Sequence, residues 1–318
     1  MLDRRHFNLG LASTAGGVVA GSLAASVRAD DSAKKKYPPG KYFDLHTHYG
    51  PITNYSPPLL IEELLRWMDA REISQAVVLP LVSPESTTFP LTSEMVLTET
   101  KPFRDRLIPF CCIDPRADYA SGRRGLLGIL TRYVEAGAKG FGEHKAGVPI
   151  DDPRNMIIYD VCAELKLPVL FHMDNRCNQD KPGLPGLAKV LATYPTVNFI
   201  GHAIGWWSSI SGGVTQEDLS RWPKSPTVLP GGAIDALMDQ YPNIYGDLSA
   251  SAGASAISRD MKFGREFILR RADRVFFGTD YHKPNQQVPQ FEIYEQLNLP
   301  EEVASKVFRD NARKLLGI

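Results

Sequence analysis

Two histidines one residue apart, His46 and His48, lie in Asp44-Leu45-His46-Thr47-His48 at the end of an apolar run that starts at Tyr42. Side chains on a strand alternate between its faces, so both imidazoles point the same way and form a seat for a metal ion. Such a pair alone is weak evidence, because two histidines fall close together by chance in many chains. Further donors close later apolar runs: His172 ends Val169-Leu170-Phe171-His172, His202 ends Phe199-Ile200-Gly201-His202, and Asp280 ends Phe276-Phe277-Gly278-Thr279-Asp280. Five of the seven histidines, His46, His48, His172, His202 and His282, fall at or just beyond the C-terminal end of such a run, which core packing does not explain. Imidazole nitrogens with a carboxylate suit Zn2+, and an open coordination position lowers the pKa of a bound water to about 7. Asp280 could bind the ion and take the proton of an attacking water, while His202 donates to a leaving group or holds a second ion.

These residues need a scaffold that brings distant strand ends together. Short apolar runs alternate with helix-spaced segments, the pattern of βα units around a parallel sheet. Eight runs are expected as strands: 42–46, 75–79, 107–113, 138–143, 168–172, 197–202, 244–247 and 275–279. Eight is the number of a (β/α)8 TIM barrel, whose strand C-termini share one rim. Helices are expected over 58–71 and 154–165, and an extra C-terminal amphipathic helix over 300–316. The stretch 205–232, with Trp206, Trp207, Trp222 and several prolines, reads as a long loop overhanging the rim. Its tryptophans are expected to cover core more than to wall a substrate. Asp44 and Asp247 are candidate partners for the imidazoles, and Arg176 and Lys283 candidate anion binders at the rim.

Hydrophobic residues make up 43% of the chain and charged residues 23%, enough apolar material for one sizeable core. Lys plus Arg equals Asp plus Glu at 36 each, so no global field favours nucleic acid, and a small-molecule substrate is expected. The four cysteines form no C-x-x-C pair and are expected as buried thiols. Residues 1–29 carry Arg4-Arg5, Phe7 and Leu9, a Gly/Ala-rich middle and Val27-Arg28-Ala29, the order of a cleavable twin-arginine-type signal peptide. It implies handling by the twin-arginine export machinery and a periplasmic or otherwise exported product. The segment is too poor in large apolar residues for a stable membrane span. Residues 30–41 read as a linker, 42–318 as one domain, and a homo-oligomer is compatible with the sequence.

The motifs Asp-Leu-His-Thr-His, Phe-His, Ile-Gly-His and Phe-Gly-Thr-Asp, with the closing Asn311-Ala312-Arg313-Lys314-Leu315-Leu316, resemble the amidohydrolase-related family of metal-dependent barrels over residues 42–318. The resemblance implies metal ligands at His46, His48, His172 and Asp280, with His202 at the same rim. Gly140-Phe141-Gly142-Glu143 resembles the glutamate version found in TatD-like nucleases, in which the carboxylate bridges two ions. Glu143 is therefore a candidate ligand, with Lys145 as a carbamate alternative and one or two divalent ions expected. The activity implied is hydrolysis of an ester, lactone, amide or related bond. The same family also contains non-oxidative decarboxylases, which is the alternative reaction. A barrel that binds metal without turnover is the alternative of another class.

Overall fold

The computed structural model describes residues 40–117, 121–222 and 225–318. The expected export signal and residues 30–39 of the expected linker lie outside them. Eight short parallel strands run in order: β1 (Tyr42–Thr47), β2 (Ile73–Val78), β3 (Leu107–Pro109), β4 (Phe141–His144), β5 (Val169–His172), β6 (Phe199–His202), β7 (Ile244–Asp247) and β8 (Val275–Phe276). The helices are α1 (Ile61–Ala70), α2 (Ser93–Glu99), α3 (Arg123–Glu135), α4 (Pro153–Leu165), α5 (Pro185–Thr193), α6 (Ala203–Ser208), α7 (Ala233–Gln240), α8 (Ala250–Ser258), α9 (Met261–Arg270), α10 (Gln290–Gln296), α11 (Glu301–Ser305) and α12 (Asn311–Leu316).

The strands form two parallel sheets, β1-β2-β3 and β4 through β8 in sequence order. At one seam Cys111 N donates to Gly140 O at 2.9 Å and Gly142 N to Cys111 O at 2.8 Å. At the other, Leu45 N donates to Phe277 O at 3.0 Å and Asp280 N to His46 O at 2.8 Å. Every strand therefore has a hydrogen-bonded neighbour on both sides, an α/β arrangement consistent with a TIM barrel. An apolar cluster of Phe43, Leu45, Val77, Leu79, Ile108, Phe110, Leu170, Ile200 and Phe276 joins residues from six strands, and Ala312 and Leu316 of α12 pack against it. A larger cluster joins the strands to the surrounding helices.

Helix ends follow local chemistry. Asp152 caps α4 by accepting from Arg154 N at 2.9 Å, with Pro153 at the first position, and Asp260 caps α9 through Phe263 N at 3.1 Å. Beyond α11 the chain winds one π turn over Lys306–Asp310 before α12. The stretch expected as loop from residue 205 begins instead inside α6, because Trp206 and Trp207 are fully buried and anchor a helical turn directly after β6. Trp206 lies against Gly201, where a Cβ would approach the indole to 2.4 Å. Trp207 Nε1 donates to Asp247 O at 2.8 Å. Among the described residues, no helix is long and apolar enough to cross a membrane. All four cysteines are buried and free, and burial pushes the Cys111 thiol up to about 12.

Candidate metal centre

The strand ends bring most of the expected donors to one place. Between Asp44 and Thr47 the β1–β2 ladder slips by one residue, a bulge that breaks strict alternation. Leu45 accordingly joins the apolar cluster while the next residue, His46, meets His48, with Nε2 atoms 3.1 Å apart. Asp44 does not reach the His46 ring; its carboxylate ties the strand end together instead. Oδ1 accepts from His46 N at 3.1 Å and Thr279 N at 3.0 Å, and Oδ2 accepts from Thr279 Oγ1 at 2.5 Å. Burial nevertheless raises the Asp44 pKa to about 7.

Around the two Nε2 atoms, Glu143 Oε2 lies 3.7 Å from His46 and 3.5 Å from His48, and Asp280 Oδ1 lies at the same two distances. These five separations average about 3.5 Å, close to the spacing of neighbouring donor atoms around one tetrahedral ion with bonds of about 2.1 Å. Glu143 uses its other oxygen elsewhere: Oε1 is 2.7 Å from His172 Nδ1 and 3.8 Å from His202 Nε2. Among the described residues, two triads offer donor atoms mutually within 4.8 Å, His46 with His48 and Asp280, and His46 with Glu143 and His202. Glu143 therefore stands between two donor groups.

The hydrogen-bond network behind the rings assigns their tautomers. Asp247 Oδ2 accepts from His46 Nδ1 at 2.7 Å and His202 Nδ1 at 3.0 Å, and from Ser249 Oγ at 2.7 Å. His48 Nδ1 donates to Leu79 O at 2.8 Å. Each of these rings thus has its proton on the outward Nδ1 and a lone pair on the inward Nε2, the arrangement of metal-binding histidines. Two such lone pairs 3.1 Å apart repel unless a cation or a proton lies between them. Burial opposes a charge on His46, but Asp247, Glu143 and Asp280 outweigh burial and raise its pKa well above the ordinary value. Burial and the charge of His46 lower the pKa of both His48 and His202.

The carboxylates stay ionised against their burial. Lys145, His172 and His46 hold Glu143 well below the usual range, and His282 and His48 do the same for Asp280. Ionised oxygens and neutral imidazole nitrogens form a donor set that fits a divalent cation.

His172 joins neither triad. Its ring is clamped between Glu143 Oε1 and Asp174 Oδ2, the latter 3.1 Å from Nε2. Asp174, held at about 2 by His172 and backbone N–H groups against its burial, was missed at sequence level, although its i+2 spacing from His172 on the same strand exit was a usable signal. Lys145 Nζ is 4.0 Å from Glu143 Oε1. Burial lowers its pKa, while Glu143 and Asp280 raise it, and the net shift is upward. His282 donates to Asp280 O at 2.7 Å and stays at the rim. Arg176 is exposed, and Lys283 lies 5.0 Å from the Tyr55 ring centroid.

An amidohydrolase family model matches residues 85–318. The chain belongs to the amidohydrolase family. The family is metal-dependent, and the donors described above are this amidohydrolase's candidate metal-binding residues. No curated protein matches the chain by sequence. Among solved structures, an uncharacterised TIM-barrel protein from Bordetella bronchiseptica is 18% identical with a TM-score of 0.58, covering 81% of this chain and 83% of its own. A Pseudomonas putida protein assigned as a 2-pyrone-4,6-dicarboxylic acid hydrolase is 15% identical with a TM-score of 0.60, covering 87% and 97%. A 5-carboxyvanillate decarboxylase from Novosphingobium aromaticivorans, solved with manganese, is 17% identical with a TM-score of 0.55, covering 87% and 96%. At these identities the likeness is one of fold.

Proposed function

We propose that this amidohydrolase is a closed (β/α)8 barrel acting as a metal-dependent hydrolase on an ester, lactone, amide or related bond of a small molecule. The observation that carries the reading is the approach of Glu143 Oε2 and Asp280 Oδ1 to the paired His46 and His48 Nε2 atoms, each within 3.5 to 3.7 Å of both, with the two Nε2 atoms 3.1 Å apart. These four would hold the first divalent ion, with Zn2+ favoured by two imidazoles and two carboxylates at that spacing. Glu143 Oε1 and His202, with His172 alongside, would supply a second position. A cation there supplies a Lewis acid that lowers the pKa of water and polarises the bond to be broken.

The chain's own groups do the rest. Asp280 lies at the site with one face open to solvent, its side chain 22% exposed, and accepts the proton of the attacking water. His202 presents Nε2 toward the reacting region, with its Nδ1 proton fixed by Asp247 and Ser249 behind it; with a single ion bound, that one free nitrogen exchanges a proton with the leaving group, and with two it is a ligand instead. Lys145 balances the carboxylates at the mouth.

The decarboxylase reading draws on the mixed reactions of structures with this fold. The two are separated by elemental analysis of purified protein together with a panel of lactones, esters and amides and, in parallel, aromatic acids assayed for released CO2. His46→Ala and Asp280→Asn are each expected to abolish hydrolysis and lower bound metal. Full activity after chelation refutes the proposal, CO2 release without hydrolysis selects the decarboxylase, and bound metal with no turnover selects a silent barrel. Export by the twin-arginine route, carried by Arg4-Arg5, is proposed alongside, and the mass of the secreted chain tests cleavage after Ala29.

A further inference from the structure

The connection between β6 and β7 is long and folded on itself. Gly212 N donates to Leu229 O at 2.8 Å and Leu229 N to Ser211 Oγ at 2.9 Å, while Thr215 N and Oγ1 both donate to Asp218 Oδ2 at 2.8 and 2.7 Å. Long ordered loops of this kind in a compact domain usually carry function. Between this loop and the end of α8 lies a cavity of about 250 Å3 whose walls include Ser208, Gly213, Trp222, Thr227 and Arg259. It is separate from the metal centre: α6 starts right after His202 and ends at Ser208, so about 9 Å of helix lies between them.

Two of the cavity's polar side chains carry buried atoms without partners among the described residues. Ser208 is 3% exposed, and its Oγ has no hydrogen-bond partner among the described residues. Arg259 Nε and Nη2 are both buried and likewise unpartnered, while Nη1 reaches only Ser225 O at 3.4 Å. Buried donors without acceptors are rare, because each forfeits its bonds to water. Glu217 and Asp218, which also line the cavity together with Arg221, and the neighbouring Asp260 are already engaged. Asp260 accepts from Phe263 N and Val228 N, Asp218 accepts from Thr215, and Glu217 pairs with Arg221 one helical turn on.

The free atoms of Arg259 have a specific shape. Nε and Nη2 form one edge of the guanidinium, and their two parallel N–H bonds match the two oxygens of a carboxylate. Trp222, half exposed, adds an aromatic wall to the same cavity. We propose that this cavity is a binding site for a small organic carboxylate with a planar apolar body: the carboxylate is gripped by Arg259 Nε and Nη2, Ser208 Oγ donates to it, and the body lies against Trp222. The site does not depend on the metal centre, so occupancy there bears on the β6–β7 loop and not on the ligands of the ion.

Calorimetric titration of benzoate into metal-loaded and chelator-treated protein tests the proposal, with inorganic phosphate as the competing anion. The expected result is saturable benzoate binding in both preparations. Arg259→Gln and Arg259→Lys should each weaken it at least about tenfold, the lysine because it keeps the charge but loses the fork. Ser208→Ala, a substitution small enough to leave the fold intact, should weaken it about threefold. Four results would overturn the proposal: no saturable binding to the unaltered protein, loss of binding on chelation, affinity unchanged in both the Arg259 and Ser208 variants, or phosphate binding more tightly than benzoate.

Discussion

Replacing Asp247 by asparagine tests the tautomer argument directly. The aspartate Oδ2 accepts from His46, His202 and Ser249, and its Oδ1 accepts from Ser249 N at 2.9 Å. An asparagine amide has one oxygen. With that oxygen in the Oδ2 place, its NH2 faces the Ser249 N–H, donor against donor; turned around, it faces three donors at once. The first orientation is the less costly, and it converts two charge-assisted bonds to imidazole into neutral ones. At roughly 1 kcal/mol lost per bond, the two rings together lose about 2 kcal/mol of orientation, or about thirtyfold in affinity for a divalent ion. That lies within the usual range for removing a group that orients metal-binding histidines. Competition against a chromogenic chelator reads the change, with circular dichroism as the check on folding. If Asp247→Asn binds zinc within threefold of the unaltered protein, the rings do not depend on Asp247 and the network account is wrong.

Two further outcomes are expected. Gly278→Ala places a Cβ 2.5 Å from Asp247 Oδ1 and 2.8 Å from Ser249 Cβ, so it should lower the melting temperature by the equivalent of about 1–3 kcal/mol and reduce bound metal without touching a donor. Unchanged metal content in a destabilised variant would separate packing from the site. His144 is fully buried, with Nε2 2.9 Å from Asn155 Oδ1, and burial lowers its pKa to about 4. A base whose folded pKa lies below its unfolded value stabilises the fold fully above about pH 6.5, and that stability is lost as pH falls toward 4. The upper bound is roughly 3 kcal/mol. Urea midpoints of the native protein should therefore fall over this range more steeply than those of His144→Gln, and parallel curves would count against it.

The candidate metal-binding residues were legible because donors sit at strand ends and the strands are short apolar runs. His46, His48, His202 and Asp280 come together as their positions implied, and Glu143 reaches both groups. Strand lengths were less legible. The run from Leu107 stays in its sheet only to Pro109, because Cys111 then pairs across the seam with Gly140 and Gly142. The run from Val275 is a strand only to Phe276, because Phe277 O turns to accept from Leu45 N. Hydrophobic alternation does not encode where a ladder passes from one neighbour to the next. Nor does it encode the bulge after Asp44, which is why Asp44 binds backbone and Thr279 where alternation suggested the ring of His46. Trp206 and Trp207 looked like loop residues because glycines and serines surround them. Their burial against Gly201 and Asp247 O depends on residues far away in sequence.

Glu143 turns one oxygen to each donor group, so in the proposed centre the two sites would compete for a single negative charge. The first ion to arrive would polarise that carboxylate toward itself and leave the second site a weaker grip. Loading would then be stepwise, with unequal affinities, and preparations equilibrated at different free-metal concentrations would yield different stoichiometries from the same polypeptide. A single elemental ratio would describe the buffer as much as the protein, and the informative measurement is the whole binding isotherm.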